Sequence, residues 1–325
     1  MAKIKDIGEQ GLLKIVQKFC PPEVIGDDGA LVQVESGKSL VVTTDVLVDG
    51  VHFSDRTMTA NDVGWRAIAV NLSDIAAMGG EAIGVTVGLS LPSELEVSWV
   101  EDLYRGMFDC LKVYNAVVLG GDVTRSPVIT IGITALGQVK KGREISRFVA
   151  KEGDAIVVTG LHGSSKAGLE LLLNPKLGES LDFQVRERLI KSHQRPKPRL
   201  DCLSHLSKII KDQPQIAGMD SSDGLADAIV QICRASGVGA EIDSKKIKID
   251  DGIRELVGEE KALEWGLYGG EDFELVLSLK ENLALELVKF LGKNAAIIGK
   301  ITKKNEVKLV DKGINLTLKK GFQHF

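Results

Sequence analysis

Lys38 to Phe53 reads KSLVVTTDVLVDGVHF. Its first part, Lys38 to Thr44, is apolar and β-branched, the composition of a strand, and Val46 to Phe53 reads as a second extended piece. Between them stands an acid, Asp45, at the end of an apolar strand. Outward from this stretch, Asn61 to Met78 carries apolar residues at helical spacing and stops at Gly79-Gly80, a glycine C-terminus. Ile83 to Leu91 alternates as a strand and ends at Pro92. Val97 to Tyr114 follows as a helix, Ala116 to Leu119 as an extended piece and Val128 to Val139 as a long strand. The first half is therefore β-rich with two helices.

From Lys140 to Gly153 the chain turns polar and charged, punctuated by Gly142 and Gly153. A domain boundary is expected there, dividing the chain into residues 1–149 and 150–325. Asp154 to Thr159 then starts a new strand, and a Gly/Ser turn leads into a helix over Ser164 to Leu173. Further helices are predicted at Gln184 to Lys191, Leu200 to Lys211, Leu225 to Ser236 and Leu283 to Leu291. Strands are predicted at Ala240 to Ile242, Phe273 to Leu279 and Ala296 to Ile301. Local hairpins mixed with helices point to α+β organisation in both halves rather than a doubly wound parallel sheet.

The 325 residues exceed what one core usually serves, and 44% apolar with 26% charged residues is an ordinary globular balance. A net charge of −4 argues against a broad nucleic-acid-binding surface. No segment approaches 18 unbroken apolar residues, so no membrane span is expected. Cys20, Cys110, Cys202 and Cys233 form no paired motif, and a reducing, cytoplasmic setting is the expectation. The basic run Arg195 to Arg199 reads as a rigid, Pro-punctuated linker, and Lys300 to Lys304 as a solvated turn.

The placement of the acids is the unusual feature. Gly26-Asp27-Asp28-Gly29, Thr43-Thr44-Asp45, Gly120-Gly121-Asp122, Met219-Asp220-Ser221-Ser222-Asp223-Gly224 and Gly269-Gly270-Glu271-Asp272 set carboxylates beside glycines or strand ends. Asp74 sits inside the apolar stretch Asn71 to Met78. Converging carboxylates repel unless hard cations such as Mg²⁺ lie between them. Neighbouring glycines let the backbone approach a phosphate and present its N–H groups. The combination suggests nucleotide chemistry.

Taken singly, each site also reads as a plain structural feature. Asp beside Gly is a common turn signal. Asp74 could bond a neighbouring backbone group, Asp122 could cap the next segment, and Ser222 and Asp223 could cap the helix after Gly224. Gly160 to Ala167 resembles a P-loop but has Ser165 and Ala167 where Gly and Ser/Thr belong. A protein-kinase catalytic loop and H-E-x-x-H are absent, and the five histidines lack zinc spacing. His162, His193 and His205 read as ordinary surface or cap residues.

In order, GDDGA (Gly26 to Ala30), TTDVLVDGVHF (Thr43 to Phe53), NLSDIAAMGG (Asn71 to Gly80), GGDVTRS (Gly120 to Ser126), MDSSDGL (Met219 to Leu225) and GGEDFEL (Gly269 to Leu275) resemble the thiamine-monophosphate kinase family. That family stands beside the aminoimidazole-ribonucleotide and selenophosphate synthetases. The closing Gly321 to Phe325 also fits. The resemblance implies a homodimer whose β-rich N-terminal domains build a barrel across the interface, each followed by a C-terminal α/β domain. It implies ATP and several Mg²⁺ ions in a cleft between the domains of one chain, with thiamine monophosphate as acceptor. Asp27, Thr43, Thr44, Asp45, Asp74, Asp122, Asp220 and Asp223 are the implied metal-site residues. Tyr104, Gly121, Asp122, Arg147 and Ser222 are the implied ATP contacts, with Arg143 as an alternative to Arg147. His52, Glu271 and Phe322 are the implied contacts of the thiamine phosphate. Phe322 stands where the family often has tryptophan. No catalytic general base is implied.

Selenophosphate synthetases carry a reactive Cys or selenocysteine in an N-terminal glycine-rich segment, whereas this chain has only Cys20-Pro21-Pro22 before Gly26. A nucleotide-binding protein without catalysis, or a structural protein with aspartates only in turns and caps, is the alternative from another class. Magnesium-dependent ATP binding separates the structural alternative from the rest.

Overall fold

The structure, a computed structural model, describes residues 2–21, 32–210 and 215–317. Its contacts divide the chain into two compact units. One holds the residues up to Ile75 and Gly80–Lys140, and the other holds Ala76–Gly79 and the residues from Lys141 on. Arg147 thus falls in the second unit.

In the first unit, β1 (Lys38–Val48), β2 (Glu81–Leu91), β3 (Val117–Arg125) and β4 (Thr130–Lys140) form a sheet in the order β1-β4-β2-β3. The β2–β3 pair is parallel, joined through the helix α3 (Val97–Val113), and the other pairs are antiparallel. The sheet is open, with β1 and β3 as its edges, so among the described residues no barrel closes. Strand alternation sends Val41 and Leu47 of β1, Ile131, Ile133 and Ala135 of β4, and Val85, Val87 and Leu89 of β2 into the interior. Two more helices belong here, α1 (Ile4–Val16) and α2, which spans Ala60–Ala77. Ile68, Leu72 and Ile75 of α2 and Leu103, Met107 and Leu111 of α3 are buried in the same unit.

Two glycines set the distance between these helices. A Cβ on Gly64 would lie 1.9 Å from the Leu103 carbonyl oxygen, and one on Gly106 would lie 1.8 Å from that of Asn61. The opposite face of the sheet is exposed along β1 among the described residues. Leu40, Val42 and Val46 of β1 are 47%, 56% and 48% exposed, and Val42 pairs with Leu136 of β4.

The second unit is built on a seven-stranded sheet with helices on both faces. Its strands are β5 (Ala155–Val158), β6 (Ala217–Asp220), β7 (Gly239–Ile242), β8 (Leu275–Leu279), β9 (Ala296–Thr302), β10 (Val307–Leu309) and β11 (Ile314–Asn315). They run in the order β11-β10-β7-β9-β5-β8-β6, with only β10 and β7 parallel. Helices α4 (Ser164–Leu173), α5 (Phe183–Gln194), α6 (Leu203–Ile209), α7 (Leu225–Ser236), α8 (Asp251–Tyr268) and α9 (Glu281–Leu291) complete it. Strand β5 shows why the unit is layered. Ile156 and Val158 join one apolar cluster with residues of α4, α7 and α8, while Ala155 and Val157 join another with residues of α6 and α9. A strand buried on both faces reads as a continuous apolar run, here AIVV. The fold is a mixed α/β arrangement in two units.

Several local expectations are corrected. The second extended piece is absent, because β1 runs through Asp45 to Val48 and Gly50 (φ 78°) then opens a tight turn closed by Gly50 N–H to the Phe53 carbonyl at 2.9 Å. Gly120 to Asp122 lie inside β3 rather than after a strand, so Asp122 caps nothing. The Leu200 to Lys211 helix is a 3₁₀ turn over Arg199–Cys202 followed by α6. Among the described residues no helix is long and apolar enough to cross a membrane.

Candidate functional site

The first unit gathers oxygen donors where β1 passes α2. Thr43 and Asp45 lie two residues apart on β1 and so share the face turned to the interior. Thr43 Oγ1 donates to Asp74 Oδ2 on α2, and the Asp45 N–H donates to Asn71 Oδ1 at 3.0 Å. The Asn71 amide is itself fixed, donating to the Ala67 carbonyl at 3.0 Å. One helical turn of α2 thereby presents a carboxamide and a carboxylate to the strand, and both Asp45 and Asp74 remain half-buried.

Thr44 and Asp122 are not brought to this group. The side chain of Thr44 is on the other face, its hydroxyl 2.9 Å from that of Thr134. Asp122, exposed on the far edge strand, is in register with Gly88 and Gly132, three strand spacings or about 14 Å across the sheet from β1. Gly121 does have a local reason to be glycine, because a Cβ there would lie 2.2 Å from the Val87 carbonyl oxygen. His52 is half-buried in the turn after β1, where its Nδ1 accepts the Val48 N–H at 3.0 Å, leaving the proton of the neutral ring on Nε2. Tyr104 is 4% exposed, its ring centroid 5.5 Å from that of Phe19, and burial pushes its hydroxyl pKa up. Asp27 and Phe322 lie outside the described residues.

In the second unit the two acidic motifs lie backbone to backbone. Strand β6 ends at the buried Asp220, toward whose Oδ1 the Ser222 hydroxyl points at 3.4 Å. The loop ends at Gly224 (φ 106°), the N-cap of α7, which offers no side-chain acceptor. The Glu271 N–H donates to the Ser222 carbonyl at 2.6 Å, and the Ser221 N–H to the Glu274 carbonyl at 2.8 Å. Gly270 must lack a side chain here, since a Cβ would lie 2.6 Å from the Ser222 carbonyl oxygen. Asp223 and Glu271 reach the surface of this pair of loops more than Asp220 does. Arg147 donates to Gln231 on α7 at 2.8 Å, and Gln231 in turn donates to Asp227, whose pKa burial raises. Arg143, the alternative, donates to the Ile210 carbonyl at 2.8 Å.

Asp272, Glu274, Arg199 and His193, which surround the Glu271 loop, had no site role from sequence. Asp272 accepts the N–H groups of Gly163 at 2.6 Å and Ser165 at 2.9 Å at the start of α4, while burial pushes its pKa up to about 7 against those bonds. Glu274 accepts from Arg199 at 2.6 Å, and the Arg199 guanidinium also donates to the Thr159 carbonyl at 2.7 Å. The end of the basic run is therefore an internal fastening. His193 and His162 are not surface residues, at 2% and 0% exposed, and the same burial lowers the His162 pKa to about 4. The sequence signal for Asp272 was its place within GGEDFEL; nothing local marked His193 or Arg199.

Among the described residues no three His, Cys, Asp or Glu side chains cluster as a metal site. The donor set itself suits magnesium: Thr43, Asp45 and Asp74 offer only hard oxygens, with no thiolate or imidazole among them.

Residues 26–139 match the family of AIR synthase related proteins, N-terminal domain, and residues 151–312 match its C-terminal domain. The chain is 46% identical over 330 aligned positions to a thiamine-monophosphate kinase of Synechococcus elongatus, covering 99% of this chain and 98% of that protein. The chain belongs to the thiamine-monophosphate kinase family. Two solved structures are similar. A thiamine-monophosphate kinase from Stenotrophomonas maltophilia superimposes with a TM-score of 0.79 at 33% identity, covering 91% of this chain and 95% of that one. AaThiL complexed with AMPPCP and TMP gives 0.78 at 35% identity, covering 100% and 99%.

Proposed function

We propose that this protein transfers the γ-phosphoryl group of ATP directly to thiamine monophosphate, giving thiamine diphosphate and ADP. The observation that carries this is the oxygen group of Thr43, Asp45 and Asp74 at the β1–α2 contact, in a chain similar over its length to AaThiL complexed with AMPPCP and TMP. The acceptor is a phosphate monoester whose second pKa is about 6, so at neutral pH it is already a nucleophilic dianion. No side chain needs to remove a proton, which agrees with a site rich in carboxylates and poor in histidine. The obstacle is repulsion between two polyanions meeting in line. Bound Mg²⁺ would neutralise that charge and align the oxygens.

The chain's own residues supply the rest. Asp27, Thr43, Thr44, Asp45, Asp74, Asp122, Asp220 and Asp223 are assigned to the metals. Gly121, Ser222, Tyr104 and Arg147 are assigned to ATP, with Arg147 oriented by its bond to Gln231. Glu271 and Phe322 are assigned to the cationic thiazolium, and His52 to the substrate. These roles come from motif position in the family; the local geometry joins Thr43, Asp45 and Asp74, while Thr44 and Asp122 stand apart from them.

The test is an assay of purified protein with ATP, Mg²⁺ and either thiamine monophosphate or thiamine. Thiamine diphosphate and ADP are the expected products, with free thiamine at least ~100-fold poorer in kcat/KM, since it lacks the anionic nucleophile and leaves phosphate-binding groups unpaired. Equal turnover of the two acceptors would overturn the assignment.

A second copy of the chain is the occupant we assign to the exposed face of the first sheet. Three large apolar side chains on β1 stand about half exposed there, more than isolated surface residues require. Val42→Glu combined with Val46→Lys should convert a dimer into a monomer in sedimentation velocity. A wild-type monomer, or a double variant that still dimerises, would remove the assignment.

A further inference from the structure

We propose that Asp272 and His193 are positioning residues that fix the Glu271 carboxylate for the thiamine moiety of the substrate; this rests on the role given to Glu271 above. The backbone at Glu271 and Phe273 is left-handed, with φ 71° and 53°. Two such residues flanking one position cost about 1–3 kcal/mol each and persist only when their surroundings hold them. Asp272 is the residue between them. Both its oxygens are occupied, Oδ2 by the Gly163 N–H and Oδ1 by the Ser165 N–H. A carboxylate saturated by backbone donors at a helix start is a fastening rather than a ligand.

The fastening extends to a buried histidine beside Glu271. Ser165, held by Asp272 through its N–H, also places its hydroxyl 3.1 Å from Nδ1 of the buried His193. The same Nδ1 stands 3.7 Å from Glu271 Oε2. Hydrogen bonds thus run from Asp272 to Ser165 and from Ser165 to His193, and Glu271 stands beside the same imidazole, beyond hydrogen-bond length. The arrangement is not a nucleophilic relay. Such a relay uses one imidazole nitrogen for the hydroxyl and the other for the carboxylate, whereas here both face Nδ1. What remains is placement. Loop 269–274 turns Asp272 inward to α4 and leaves Glu271, whose side chain is 35% exposed, against the imidazole.

Asp272→Asn keeps the shape but sets an amide donor against a backbone donor, opening one of the two bonds that hold the loop to α4. The expected result is a rise of about tenfold or more in the KM for thiamine monophosphate, with the KM for ATP within twofold of wild type. A residue that only stabilised the fold would lower the melting temperature and leave the ratio of the two KM values unchanged. His193→Gln provides a second variant should Asp272→Asn not fold, and should shift the same KM alone by a smaller factor. Calorimetry of thiamine monophosphate binding to each variant gives a readout independent of turnover. Wild-type protein that neither binds nor phosphorylates thiamine monophosphate overturns the functional assignment, and this placement with it. Wild-type activity, with both variants retaining wild-type affinity for thiamine monophosphate or losing both substrates equally, overturns the positioning role alone.

Discussion

Replacing Asp74 by Asn is expected to lower turnover at least ~100-fold while leaving the fold intact, the scale of removing one preorganised electrostatic partner. The Thr43 hydroxyl donates to Asp74, and an Asn carbonyl oxygen accepts that bond equally well. Shape and hydrogen bond are kept, and only the charge leaves. In the metal-free protein the charge is a burden, because the second carboxylate, Asp45, is held on the facing strand and both are half-buried. The variant should therefore melt at the same temperature as wild type, or higher, without Mg²⁺. The two measurements are kcat at saturating Mg²⁺ and a thermal melt in chelator. Near-normal turnover would make Asp74 a helix residue that anchors Thr43 and nothing more.

Gly106→Ala is expected to cost about 3 kcal/mol or more of stability, at or beyond the upper end for overpacking. The added methyl would meet the Asn61 carbonyl oxygen at 1.8 Å and the Trp65 nitrogen at 3.0 Å. Those atoms are the backbone of α2, so no side-chain rotation relieves the clash and the two helices must separate. Gly64 faces Leu103 with the same closeness, which prevents a local slide from absorbing the shift. Because α2 also carries Asn71 and Asp74, activity should fall along with stability. Gly88→Ala is the control, since its Cβ would meet only the Gly132 carbonyl oxygen at 3.7 Å. Urea denaturation midpoints decide the matter, and equal midpoints for Gly106→Ala and wild type would mean the helices do not cross there.

The sequence carried the elements whose pattern is local and long. Helix α4 over Ser164–Leu173 and α7 over Leu225–Ser236 begin and end where their periodicity does. Helix α8 escaped notice because Gly258, at φ 77°, breaks it in the middle, and a glycine there reads as a loop. Strand β6 is four residues with a glycine among them, and it exists because β8 lies beside it. The acids of the candidate site were legible as a set, since carboxylates in apolar or glycine-flanked settings are uncommon company. Their sorting was not. Thr43 and Thr44 look equivalent on paper, yet strand alternation sends one to Asp74 and the other to Thr134. His193 could not be found at all, because its neighbours Ser165 and Glu271 are close only once the second sheet has formed.

That sheet also sets a timetable for the chain's synthesis. Its seven strands contain only one pair of sequence neighbours side by side, β10 and β11. Ala155 in the middle bonds across to Lys300, so β5 leaves the ribosome long before its partner is made. At about 5–20 residues per second the interval is roughly 7 to 30 s. Until β8 begins at Leu275, a strand apolar on both faces waits with neither neighbour made, and until β9 follows it has only one. A polypeptide released before Ala296 would keep β5 with one edge open, a template for pairing with other chains. An interior strand of the second sheet is among the first parts of that unit to be made and among the last to be enclosed.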